Sequence, residues 1–184
     1  RDWLHQGDVA MQMARLYDYL DDNTGQLQHI NDAINFFKKA EARTKLVDAM
    51  LEKASYLRKL KDFPTAKQAY QDTLKAAETI GDQVGQMMAI NNLAATHLLL
   101  NENEQATALG EQGLALSLKG GNGQHIANSY SFLSQLYWQQ NQQKQALNMM
   151  SQALTYQIET KSHKHLSPKL MNLNYLLLET GQFV

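Results

Sequence analysis

The chain has 184 residues, of which 43% are apolar, and its formal net charge at pH 7 is −1. This near-neutral balance gives no electrostatic reason to expect nucleic acid or an anionic membrane surface as a partner. The absence of cysteine excludes disulfides and thiolate metal sites. The longest apolar runs, Leu98–Leu100 and Tyr175–Leu178, fall far short of the roughly 20 residues that a membrane-spanning helix needs, so no direct membrane contact is expected.

The first predicted element is a helix pair near residues 7–43. Asp21–Gly25 is rich in turn-forming residues and predicts a long turn, after which a second helix is predicted over Leu27–Ala42. The register of this second helix stays open. A strict frame places Gln26 where later units have alanine, whereas a shift of two helical turns places Ala33 there.

Three further helix pairs are predicted near 47–85, 87–125 and 127–165. Their first helices have apolar residues at i, i+3, i+4 and i+7, as in Ile90–Leu100. A short polar turn then precedes each second helix, as at Asn101–Asn103.

A small-residue pattern repeats along the chain. Ala66, Ala106 and Ala146 lie 40 residues apart, and a small residue lies twelve positions before each of them. A fixed period of this length indicates stacked copies of one supersecondary unit. The sequence therefore predicts an all-α fold, a right-handed α-α superhelix (solenoid) of antiparallel helix hairpins that forms a single array over 1–184.

A fifth unit begins near Ser167 and stops at Val184, before its second helix. We therefore expect the chain to be a fragment of a longer protein. The helix predicted over 168–180 has leucines that no second helix would cover, which makes it a candidate surface for homodimerisation.

The repeat pattern resembles the tetratricopeptide repeats (TPR), in the subclass with about 40 residues per unit. The resemblance depends on a small residue at position 8 of the unit, Tyr or Leu at position 11 and Ala at position 20. The matching residues are Ala14, Ala54, Ala94 and Ser134, then Tyr17, Leu57, Tyr137 and Leu177, then Ala66, Ala106 and Ala146. Asn91–Ala94 looks like the helix openings of kinesin light chains and of bacterial regulators with long repeats. HEAT and armadillo repeats are rivals at this period, and the Ala-x3-Tyr pattern from Ala66 to Tyr70 argues against them.

The resemblance implies a concave groove lined by the first helices. It implies a non-enzymatic protein-protein interaction module that binds a peptide or a partner helix in this groove. The alternative is a sensory or regulatory segment of a multidomain, bacterial signalling or transcription-regulating protein. The implied groove residues are Arg15, Asp18, Arg58, Asn91, Asn128, Ser131, Gln135, Trp138 and Tyr175. Asn91 and Trp138, an amide and an aromatic anchor, are the strongest candidates among them.

No residue pattern predicts catalysis, a metal site or a cofactor. The six histidines form no pair with helical metal-ligand spacing beside a carboxylate. His97 takes the frame position of Tyr137 and is predicted to be a packed core residue. We expect a soluble protein, and both the cytoplasm and the periplasm stay open as compartments.

Overall fold

The structure is a computed structural model that describes residues 2–160. This part of the chain forms helices and no strands. The helices are α1 (Trp3–Tyr19), α2 (Asn23–Lys39), α3 (Arg43–Lys59), α4 (Phe63–Ile80), α5 (Gln83–Leu99), α6 (Asn103–Gly120), α7 (Gly123–Gln139) and α8 (Gln143–Glu159). The fifth unit at 167–184, the helix 168–180 and Tyr175 lie outside the described residues.

The helices follow the period of the sequence. The first helices of the hairpins, α1, α3, α5 and α7, begin 40 residues apart, and so do the second helices, α2, α4, α6 and α8. Each second helix begins 20 residues after its first helix. The described chain is therefore a series of helix hairpins of equal length.

The turns between helices repeat one backbone conformation. The residue that follows each helix by one or two positions has positive φ, between 52° and 69°. These residues are Asp21, Glu41, Lys61, Gly81, Asn101, Gly121 and Asn141. Such left-handed residues end a helix and let its last carbonyls accept turn hydrogen bonds, as when Asp62 N–H donates to Leu57 O. One turn geometry thus explains the constant helix length.

Small residues allow the two helices of a hairpin to approach closely. Ala66, Ala106 and Ala146 are each 0% exposed, at the same place in α4, α6 and α8. Ser134 Oγ donates to Ala146 O at 2.7 Å, so the two small positions of the last described hairpin are in direct contact. The predicted role of these residues is confirmed, because a larger side chain at either position would separate the helices.

The register of α2 is the strict one. The helix begins at Asn23, so the predicted long turn at Asp21–Gly25 and the helix start at Leu27 were wrong. Asp22 caps the helix, since its carboxylate accepts from Gly25 N–H at 2.9 Å. Gln26 therefore takes the buried place that alanine has in later hairpins, and its Oε1 is buried without a hydrogen-bond partner in the described residues.

The chain divides into two compact units, Arg1–Thr96 and His97–Val184. In the N-terminal unit, Phe37 packs with Ala10, Met11, Ala33 and Ala49. In the C-terminal unit, Met150 and Leu154 form a cluster with Trp138 and Leu147. None of the helices in residues 2–160 is long and apolar enough to cross a membrane.

Candidate functional site

The first helices of the N-terminal unit are joined to one another by polar contacts. Lys45 of α3 donates to both carboxylate oxygens of Asp8 in α1, at 2.5 and 2.6 Å. Lys59 Nζ of α3 donates to Asp18 Oδ1 of α1 at 2.8 Å. These contacts place α1 and α3 side by side. We call the surface formed by α1, α3 and the part of α5 before His97 the first-helix face.

A hydrogen-bonded network on this face holds Arg58. Its Nε donates to Tyr70 Oη at 3.4 Å, and its Nη2 donates to Asn92 Oδ1 at 3.4 Å. Ser55 Oγ lies 2.9 Å from the same tyrosine oxygen. Both partners of the guanidinium are neutral and both contacts are long, so the half-buried charge keeps most of its capacity to bind an anion.

Asn91 lies beside this network along α5. The residue is half-buried, and its Oδ1 is buried with no hydrogen-bond partner in the described residues. A buried acceptor without a donor costs roughly 1–3 kcal/mol of desolvation. This amide is therefore prepared to accept a hydrogen bond from a ligand.

A cavity of about 260 Å³ lies on the first-helix face between α1 and α3. It is lined by Asp8, Met11, Gln12, Arg15, Phe37, Lys45 and Asp48. Lys45 is paired with Asp8, whereas Arg15 is exposed. Desolvation at the cavity wall and the neighbouring Asp82 carboxylate raise the pKa of Asp48, and Arg15 and Lys45 partly offset this rise. The cavity thus combines mixed charge with an apolar floor.

Lys59 is a positive charge that the same face has already neutralised. The ammonium group contacts Asp18 and lies 3.6 Å from Asp21 Oδ1. The hydrogen bond from Asp18 is the main reason why the pKa of Lys59 is raised. Asp18, a predicted groove residue, therefore makes a structural contact between α1 and α3.

In the C-terminal unit, α7 holds four of the predicted groove residues. Asn128 and Gln135 are exposed, and Asn128 Oδ1 accepts from Gln124 Nε2 at 3.0 Å. Ser131 is half-buried, and its hydroxyl donates to Ala127 O in its own helix. Trp138 is half-buried and packs against the cluster of Met150 and Leu154, so its ring contributes to the core of its hairpin.

The described residues contain no cluster of His, Asp and Glu that could hold a metal ion. His97 is 8% exposed, and its Nδ1 lies 2.5 Å from Glu102 Oε2. The imidazole is therefore packed and paired with a carboxylate at the turn between α5 and α6.

Comparison with known proteins identifies the fold. No family model matches the sequence, and no curated protein matches it either. Solved structures do match. Aspartyl phosphate phosphatase F from Bacillus subtilis is similar over 96% of this chain, with a TM-score of 0.82 and 15% identity. The kinesin light chain TPR-like repeats of Podosopora anserina are similar over 95% of this chain, with a TM-score of 0.73 and 15% identity.

A third similar structure is the Rap conjugation gene regulator of the plasmid pLS20 in complex with a Phr peptide. It matches 89% of this chain with a TM-score of 0.68 and 15% identity. The chain has the fold of a tetratricopeptide repeat array. It spans 45% of the phosphatase, 87% of the kinesin light chain structure and 45% of the Rap regulator. The predicted all-α, TPR-like solenoid is confirmed.

Within this TPR array, the predicted groove residues fall into two groups. Arg15, Asp18, Arg58 and Asn91 lie on first helices of the N-terminal unit, and the other four described residues lie on α7 of the C-terminal unit. Sequence reasoning missed Tyr70, whose hydroxyl positions Arg58. Tyr70 was expected only to fill space beside Ala66, and its aromatic body does so at 0% exposure. The free hydroxyl on an otherwise apolar side chain was the available sign of a second role.

Proposed function

We propose that the chain is a non-enzymatic protein-interaction module that binds a peptide or a partner helix on its first-helix face. The observation on which the proposal depends is the state of Arg58. Its guanidinium is half-buried and held by two neutral partners. A positioned guanidinium without a carboxylate partner is suited to bind a carboxylate of a ligand in a bidentate manner.

The surrounding groups suit a polypeptide that has an acidic residue. The buried Oδ1 of Asn91 supplies an acceptor for a ligand N–H group. Arg15 supplies a second, exposed guanidinium at the cavity between α1 and α3. Lys59 does not add to this set, because Asp18 and Asp21 already neutralise it.

One similar structure supports a peptide ligand, because it is a Rap regulator solved in complex with a Phr peptide. The same comparison supports a second candidate function. The chain matches 45% of that regulator and 28% of a STAND protein with a TPR sensor from Pyrococcus horikoshii. A sensory segment, in which peptide binding controls another part of a longer protein, is therefore the alternative.

A displayed library of random peptides, selected on the purified chain, tests the proposal. We expect the selected peptides to contain Asp or Glu at a fixed position. Arg58→Gln should weaken their affinity by on the order of tenfold, because a lost charge-assisted hydrogen bond is worth about 1.5–3 kcal/mol. Isothermal titration calorimetry of the selected peptides measures this change.

Lys75→Gln is the matched control. It removes one positive charge from an exposed position on the second helix α4, so it should leave the affinity unchanged. Equal losses in both variants would indicate a non-specific charge effect. Selected peptides that bind Arg58→Gln as tightly as the parent chain would contradict the proposed site.

A further inference from the structure

The outer side of α1 has an apolar stripe that no helix covers in the described residues. Val9, Met13, Leu16 and Leu20 follow i, i+4, i+7 and i+11 spacing, which places them on one side of the helix. Val9, Leu16 and Leu20 are 44%, 48% and 60% exposed, and Met13 is half-buried. The residues of α1 that face the hairpin core, Gly7, Ala10, Met11 and Ala14, lie on the opposite side.

The equivalent positions in later first helices are buried against the preceding second helix. In α3, Ala49 and Tyr56 correspond to Val9 and Leu16. Ala49 packs with Phe37 of α2, and Tyr56 packs with Ile30 of α2. In α7, the equivalents Ser129, Leu133 and Leu136 are each 1% exposed. The stripe of α1 is thus the next member of an interface that the chain forms between its own hairpins.

The size of the side chains defines what can pack there. In the C-terminal unit, Leu133 and Leu136 of α7 lie so close to Gly110 of α6 that a Cβ on this glycine would be 2.8 Å from each. Ser117 of α6 meets Ser129 of α7 through a hydroxyl contact of 2.7 Å. Large residues on a first helix therefore pack on small residues of a second helix. The stripe of α1 has Met13 and Leu16 in the places of Leu133 and Leu136, so it also needs a small-residue helix.

The margin of the stripe is uncharged where α3 has lysines. His5 and Tyr19 of α1 take the positions of Lys45 and Lys59, which in α3 form ion pairs with the preceding first helix. Tyr19 is 86% exposed. The margin therefore offers aromatic and polar contact without an ion pair.

We propose that the outer side of α1 is a docking site for an amphipathic helix of a partner protein, with small residues at i, i+3 and i+7 in the manner of Gly110, Gly113 and Ser117 of α6. This surface lies opposite the core-facing side of α1 and is distinct from the network around Arg58. A second copy of the chain cannot supply such a helix without unfolding. The small residues of its own second helices, such as Ala33, Gly113 and Ala153, are already buried.

A helical probe peptide tests this site. The probe has the sequence of residues 103–120, with a hydrocarbon staple joining positions 108 and 112, which are exposed in α6 and face away from the small residues. Ser117 is replaced by Ala in the probe, because Val9 offers no hydrogen bond in place of Ser129. The staple provides the helix nucleation that a short free peptide lacks.

We expect fluorescence anisotropy to show saturable binding of the labelled probe to the full chain. Leu16→Glu should weaken this binding by on the order of tenfold or more, because it places a charge in the centre of an apolar contact. Leu60→Glu is the matched control, since Leu60 is a similarly exposed leucine, 46% exposed, at the end of α3. Arg58→Gln should also leave probe binding unchanged, which separates this site from the first-helix face.

Several results would overturn the proposal. These are an absence of binding, binding that Leu16→Glu and Leu60→Glu weaken equally, or tight binding of a probe in which Gly110 and Gly113 are both replaced by Leu. Light scattering of the chain alone provides the remaining test. A dimer that dissociates on Leu16→Glu would show that a second copy covers the stripe instead of a partner helix.

Discussion

Helix caps differ between otherwise equivalent residues of the repeats. Asp2, Asp22, Asp62, Asp82 and Asn122 accept a hydrogen bond from the first turn of the helix that follows each of them. Gln142 lies at the same place before α8 and makes no side-chain cap bond. A longer side chain cannot return to the first-turn N–H groups with the geometry of Asp or Asn.

Gln142→Asp should therefore stabilise the chain. We expect a gain of about 0.5–2 kcal/mol in the free energy of unfolding, the usual value of an N-cap. Thermal or urea unfolding followed by circular dichroism measures it. Gln142→Ala is the control and should give no gain, and a stability equal to the parent for Gln142→Asp would mean that α8 needs no cap.

Asp48 should make stability depend on pH. Desolvation and Asp82 raise its pKa in the folded state, so folding favours the protonated carboxyl. This contribution is present at low pH and is lost as the pH rises through the folded pKa. Asp48→Asn, which is neutral at every pH, should therefore be more stable than the parent chain at neutral pH. The difference should shrink towards pH of about 4, where aspartates become protonated. Urea unfolding at both pH values measures it, and a gain that grows on acidification would contradict this assignment.

At the residue scale, the sequence predicted which positions lie on the first helices but not how their side chains are occupied. Asp18 and Arg58 hold equivalent places in successive hairpins. One is neutralised by Lys59, while the other is held by a tyrosine hydroxyl. Repeat spacing places both residues, but partner choice depends on contacts between helices that are distant along the chain.

At the scale of the helices and turns, the constant conformation of the turns is met by different residues. Gly81 has φ of +69°, and a Cβ there would meet no atom within 4 Å. Lys61 takes the same conformation with φ of 62°, although it has a side chain. A left-handed residue other than glycine has a steric cost of roughly 1–2 kcal/mol.

Opposite substitutions at these two turns should have opposite effects. Gly81→Ala should lower the free energy of unfolding by about 1 kcal/mol, because the space is open and only the backbone conformation is strained. Lys61→Gly should raise it by less than about 1 kcal/mol, since the greater freedom of glycine in the unfolded chain offsets part of the relief. Urea unfolding measures both variants. Changes of the same sign would mean that the turns do not share one strain.

The helices were predictable because the small-residue period and the turn residues agree. The failure in the first hairpin has a physical cause. Asp21–Gly25 has the composition of a loop, yet Asp22 acts as a cap and Asn23 begins α2. Gln26 also breaks the alanine pattern by burying an amide. Tertiary packing overrides composition at this position.

At the scale of the molecule, the contacts that hold the chain are between helices that follow one another. The hairpins α1–α2, α3–α4 and α7–α8 and the neighbouring pairs α2–α3 and α6–α7 pack directly. Stability in such an array is a sum of repeat and nearest-neighbour terms. A local defect should therefore have a local effect.

Phe37→Ala tests this locality. The ring is 2% exposed and packs among α1, α2 and α3, so its removal should leave a cavity that costs about 3–5 kcal/mol. Hydrogen exchange measured by mass spectrometry should show faster exchange in α1–α3 and unchanged exchange in α7–α8. Met150→Ala is the reciprocal variant, because Met150 is 1% exposed in α8 and packs with Leu154 and Trp138. It should accelerate exchange in α7–α8 and leave α1–α3 unchanged. Faster exchange throughout residues 2–160 in either variant would show that the array unfolds as one cooperative body.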